Sequence, residues 1–145
     1  MTQVTEREYR AKERERDRYQ REKKTYEGKI ASLSDEIAEL DRAINRMTQV
    51  YQDFKSQVNE MDDLFKERRV FTGNQYQQLI CAEGNSLMSE AKRCQNHVIN
   101  NALDELEWLR NEKRNQRNEQ YGILGGILNR ISSALTWLKT NFFNN

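Results

Sequence analysis

Proline is absent from this chain, histidine occurs once, and cysteine only twice. Neither sign of charge dominates, with 24 Lys/Arg set against 23 Asp/Glu. Each shortage closes a class of explanation. Without proline nothing forces a break, so long uninterrupted helices are open to the chain. One histidine, His97, reads as an ordinary helix-surface or seam residue, and no metal-ligand cluster accompanies it. A net charge of +1 argues against nucleic acid as the main partner, because phosphate binding needs a clear cationic excess. Residues 1–25 hold no apolar run, so no signal peptide is expected. On one helix Cys81 and Cys94 would stand about 20 Å apart, too far for a disulfide. Free thiols fit assembly in a reducing cytosol.

What the chain has in place of these is period. Tyr26, Ile30, Leu33, Ile37, Leu40, Ile44, Met47, Tyr51, Phe54, Val58, Met61 and Phe65 alternate steps of four and three without a fault. That alternation lays side chains along one narrow stripe of a helix, the seam of a coiled coil. With 32% charged and 36% hydrophobic residues, the composition suits seams between helices rather than a broad core. The expected fold is all-α: a long antiparallel helical hairpin, a coiled coil, with a C-terminal amphipathic helical segment. One domain over 1–145 divides into a first arm at 3–69, a turn at 70–75, a second arm at 76–120 and an apolar C-terminal helix at 121–143.

The turn carries its own signature. Thr72 followed three residues later by Gln75 makes a capping box, and Phe71 with Tyr76 matches a hydrophobic staple across it. With Gly73 these residues stop one helix and start another within about four positions, which joins antiparallel neighbours. A reversal there lays position i against roughly 144 − i. The second arm then presents Tyr76, Ile80, Leu87, Ala91, Cys94, Val98, Ala102, Leu106 and Leu109 to the first. Residues 110–120 are polar throughout, so the seam is expected to thin beside Lys24 to Leu33.

Apolar residues return in the tail: Ile123, Leu124, Ile127, Leu128, Ile131, Leu135, Trp137, Leu138 and Phe142. On the 144 − i register this face lies beside residues 2–21, whose large apolar side chains after Val4 are only Tyr9 and Tyr19. It is therefore expected either to fold back, helped by Gly122, Gly125 and Gly126, or to bind another chain, the second being favoured. The segment is too polar to span a bilayer. No catalytic constellation is present: no serine elbow, no phosphate loop, no ligand cluster for a metal or cofactor. The expectation is a non-enzyme that needs no cofactor, with membrane contact disfavoured.

Two long helices reversing at Phe71-Thr72-Gly73 resemble the WXG-type hairpins of Gram-positive type VII secretion, with phenylalanine in place of tryptophan. The Gly73-Asn74-x-Tyr76 continuation and the C-terminal Ser132-Ser133-Ala134-Leu135-Thr136-Trp137-Leu138-Lys139 are similar to one subset, the small helical partners of LXG-domain toxins. The resemblance implies a targeting or chaperone-like protein that binds the toxin's helical N-terminal domain, sometimes beside a second small helical partner. It implies cytoplasmic assembly, with co-secretion alongside the toxin as a further fate. An export signal of an aromatic residue with an acid four positions on is matched in spacing by Trp108 and Glu112, although in mid-helix rather than in a tail. The alternative expectation is a generic coiled-coil adaptor or a membrane-associating helical protein.

Overall fold

The computed structural model describes the backbone of residues 3–71 and 74–143, and the side chains of 4–66 and 83–141. The expected all-α hairpin is what the chain forms. Helix α1 runs Glu6–Phe71 and helix α2 runs Asn74–Arg93. A six-residue π-turn, Cys94–Ile99, leads into helix α3, Asn100–Thr140. Two-residue strands flank the helices, with β1 (Gln3–Val4) pairing in parallel with β2 (Phe142–Phe143). Within the turn motif, Thr72 and Gly73 and the side chains of Phe71, Gln75 and Tyr76 lie outside the described residues.

The helix ends have local causes. At the start of α1, the Glu8 amide donates to Thr5 Oγ1 at 3.2 Å while the Thr5 amide donates to the Glu8 carboxylate at 2.9 Å. This is a complete capping box, and it starts the helix at Glu6 rather than at residue 3. At the other end, the Asn141 amide and its side-chain Nδ2 both donate to the Trp137 carbonyl, and Thr140 Oγ1 donates to the Thr136 carbonyl. The amide bond is the last i→i−4 bond of the helix, and the side-chain bonds satisfy the carbonyls of its final turn. The C-terminal helix stops at Thr140, short of the expected 143, and a strand follows.

Two compact units divide the chain: Met1–Ala38 with Asn111–Asn145, and Glu39–Arg110. In the first, the 4-3 alternation of α1 continues toward its N-terminus through Lys23, Tyr19, Arg16, Lys12 and Tyr9, all buried or half-buried. Opposite them, Lys113, Arg117, Gln120, Leu124, Ile127, Ile131, Ala134 and Leu138 repeat the same alternation on α3. Tyr19, Ile127 and Ile131 form the centre of this core, with Tyr26 and Leu135 packed against it. Gly122, Gly125 and Gly126 do not break α3, which runs continuously through them, and a Cβ at any of them would meet open space.

In the Glu39–Arg110 unit, Ile44 and Val58 of α1 and Met88 and Ile99 of the second arm are buried. Leu40, Met47, Phe54 and Met61 stay half-buried. The ring of Phe65 lies against Gly84, with Cδ1 at 3.1 Å from where a Cβ would stand. This seating sets the level of the two helices. The residue numbers of Phe65 and Gly84 sum to 149, as do those of Glu36 and Lys113 in the other unit. The pairing therefore runs about five residues beyond the 144 expected from the turn.

Candidate interaction surfaces

The face expected to bind a partner is largely covered by its own chain. Ile127, Ile131 and Leu138 are buried, and Leu124, Leu135 and Trp137 are half-buried. Only Ile123 and Leu128 of that set are exposed, and the Phe142 side chain lies outside the described residues. The physical reason is that large apolar residues are not the only ones that cover apolar surface. Tyr9 meets Trp137 with ring centroids 6.3 Å apart, and Lys12 Nζ sits 5.8 Å from the Trp137 ring centroid. Lysine and arginine stems lie along aliphatic surface while their heads reach water. The guanidinium of Arg130 in turn lies 5.6 Å from the Tyr19 ring centroid, a cation–π contact over the core tyrosine. The tail thus needs neither a fold-back nor a second chain to cover its central positions.

The polar run after Leu109 does not thin the seam; it fills seam positions with cations. Lys113 pairs with Glu36 at 2.9 Å, and Arg117 donates to Ser34 Oγ at 3.5 Å. In the other unit Arg110 pairs with Asp41 at 3.4 Å. These pairs are half-exposed, so each contributes roughly 0–1 kcal/mol, and their larger effect is to fix register. The expected signal pair lies on α3, where Trp108 is 65% exposed and Glu112 is half-buried.

A different apolar surface was not anticipated. In the second arm the expected stripe is displaced by one residue: Met88, Gln95 and Ile99 are buried, whereas Leu87, Val98 and Leu109 are exposed. Ala91, Cys94, Ala102 and Leu106 are half-buried, and the Cys94 thiol is free. Adjacent apolar residues such as Leu87-Met88 and Val98-Ile99 leave two candidate lines, and pattern alone does not choose between them. The π-turn adds to the slip, since it advances each residue by a smaller angle than an α-helix does. Leu87, Val98 and Leu109 each fall one residue before a buried or half-buried position, Met88, Ile99 and Arg110, before, within and after that turn.

On α1 of the same unit, Val50 and Leu64 are also at least half exposed. Each of these five residues immediately precedes a seam position: Tyr51, Phe65, Met88, Ile99 and Arg110. The residue before a seam position is turned to the same hand of its own helix. Reversing a helix and facing it to its partner brings both hands to one side of the pair. The five residues therefore lie in one row along a single side of this unit, with Leu64 near the level of Leu87 and Val50 near that of Val98, and with the exposed polar Gln57 between Val50 and Leu64.

Among the described residues, no helix is long and apolar enough to cross a membrane. No family model matches the chain, and no curated protein or solved structure is similar to it.

Proposed function

We propose that this chain is a non-enzymatic partner protein that binds the helical N-terminal domain of a type VII-secreted LXG toxin and promotes its stability and targeting for export. The observation that supports the reading is the one-sided apolar row of the Glu39–Arg110 unit. Above it, the seam residues Leu40, Met47, Phe54 and Met61 are only half covered by their own chain. A helix pair left open along one side gains apolar burial when a further helix lies against it. The resemblance of Phe71-Thr72-Gly73 and the C-terminal segment to LXG partners supplies the identity of that helix. Assembly takes place in the cytoplasm, before export, and needs no cofactor. A second small helical partner joins through a surface of the other unit, for which exposed Ile123 and Leu128 are the candidates.

Co-expression with an LXG toxin domain encoded beside this chain tests the proposal. The two are expected to co-purify as a stable complex, and deletion of this chain is expected to lower toxin level and export together. A toxin domain that stays soluble, abundant and exported without this chain would overturn the reading.

A further inference from the structure

The geometry points to a basic amphipathic helix as the occupant of the apolar row: a single helix whose apolar stripe is bordered by lysine or arginine. This deepens the proposed function by giving the partner a chemistry and the interface a place.

The row is one-sided. The residues that follow the same seam positions, Gln52 after Tyr51, Ser89 after Met88 and Asn100 after Ile99, are polar and exposed. An incoming helix therefore has one apolar side to approach. Its anchors would be Leu64 with Leu87 at one level and Val50 with Val98 at another, about four helical turns away. Between them lie the half-buried side chains of Phe54 and Met61, with Met47 just before Val50, and flexible thioethers adapt well to a docking helix.

The borders of the row carry the sign. On a helix, positions four before or three after a row residue turn outward from the seam. Those positions hold Asp53 and Glu60 on α1, and Glu83, Glu90 and Glu105 on the second arm, all exposed, with Glu90 paired to Arg93 at 3.2 Å. Among the described residues the same positions hold one cation, Arg46, and the uncharged Cys94 and Asn101. Two acidic borders face any helix that enters between them. Lysine or arginine beside the entering stripe would be attracted at both edges, and aspartate or glutamate repelled. The same charges disfavour a second copy of this chain, since a two-fold contact of row on row would set acidic border against acidic border.

The test uses two labelled designed peptides of about four heptads, with leucine at the two seam positions and either lysine or glutamate at the flanking ones. Fluorescence anisotropy against the full chain is expected to show binding of the lysine peptide that weakens at least about tenfold from low to high salt. The glutamate peptide should bind at least tenfold more weakly. The double variant Val50→Asp/Val98→Asp changes two exposed side chains, so circular dichroism should be unaltered while lysine-peptide affinity falls more than tenfold. Tyr121→Asp, at an exposed residue of the other unit, should leave it unchanged. Equal binding of both peptides, or binding indifferent to the double variant, would overturn the inference. So would a dimer in sedimentation that the double variant dissociates, because the row would then be a self-contact. Toxin capture lost with peptide binding intact would count against the cargo alone. Peptide binding lost with toxin capture intact would place the interface elsewhere.

Discussion

Tyr9 packs its ring against Trp137, with centroids 6.3 Å apart and planes inclined by 42°. Lys12 holds the same indole at 5.8 Å. Beyond this contact Gln3 pairs with Phe142 and Val4 with Phe143. The first residues of α1 and the last turn of α3 are therefore fastened to each other by an aromatic pair, a cation and a two-residue strand pair. Trp137→Ala should cost about 1–2 kcal/mol, less than a fully buried aromatic because the indole is half-buried. Hydrogen exchange checks its location: faster exchange is expected in residues 6–16 and 130–140, with Glu39–Arg110 unchanged. Uniformly faster exchange would contradict a local clasp.

Glu8 gives the N-terminal cap a pH dependence. The hydrogen bond from the Thr5 amide, and then the one from the Thr5 hydroxyl, favour the charged carboxylate and hold its pKa below the ordinary value. A lowered folded-state pKa means that the stabilisation is present above the ordinary carboxylate range and is lost as pH falls through the lowered value. An NMR titration should place the Glu8 midpoint below that of an ordinary glutamate. Thr5→Ala should move it part of the way back, since the amide bond remains. An ordinary midpoint in the parent chain would count against the capping box.

Much of the fold is legible in the sequence because burial follows period. All twelve residues from Tyr26 to Phe65 that the 4-3 alternation selects are buried or half-buried. The same alternation runs on through Lys23, Tyr19, Arg16, Lys12 and Tyr9, and Thr5-x-x-Glu8 is a readable cap. Both signals are present in the sequence but are hidden by a reading that counts only large apolar residues. Lys113, Arg117 and Gln120 are masked in the same way, as polar residues standing at seam positions. The apolar row was not legible for a different reason. Leu87 and Met88 are both apolar neighbours, and only the seating of Phe65 on Gly84 and the π-turn decide which of them turns inward.

The glycines separate propensity from packing. A Cβ at Gly122, Gly125 or Gly126 meets nothing within 4 Å, yet all three lie inside α3. Replacing any one by alanine should stabilise the chain by about 1 kcal/mol, the usual helix-interior difference. At Gly84 the Phe65 ring stands 3.1 Å from the new Cβ, so part of that gain goes into displacing the ring. Chemical denaturation should rank Gly125→Ala above Gly84→Ala. The reverse order would mean that α3 is kinked at its glycines or that Phe65 does not seat on Gly84.

Ile131 and Leu128 stand one turn apart on α3 and decide what its C-terminal half is for. Ile131 is buried beside Tyr19 and Ile127, whereas Leu128 is exposed. If this half-helix completes the core of its own unit, a charge at Ile131 must be buried without a partner. Ile131→Asp should then destabilise by more than about 3 kcal/mol, in the range for unpaired buried charges. Leu128→Asp should stay within about 0.5 kcal/mol of the parent, as surface substitutions do. Thermal melts monitored by circular dichroism read the difference directly. If both variants melted like the parent and only lost a partner, the whole apolar face of α3 would be an interface, and the pairing with Tyr9 to Tyr26 would be incidental. If Ile131→Asp alone unfolds the unit, that face is core, and capture of a helical partner falls to the row at Val50, Leu64, Leu87, Val98 and Leu109.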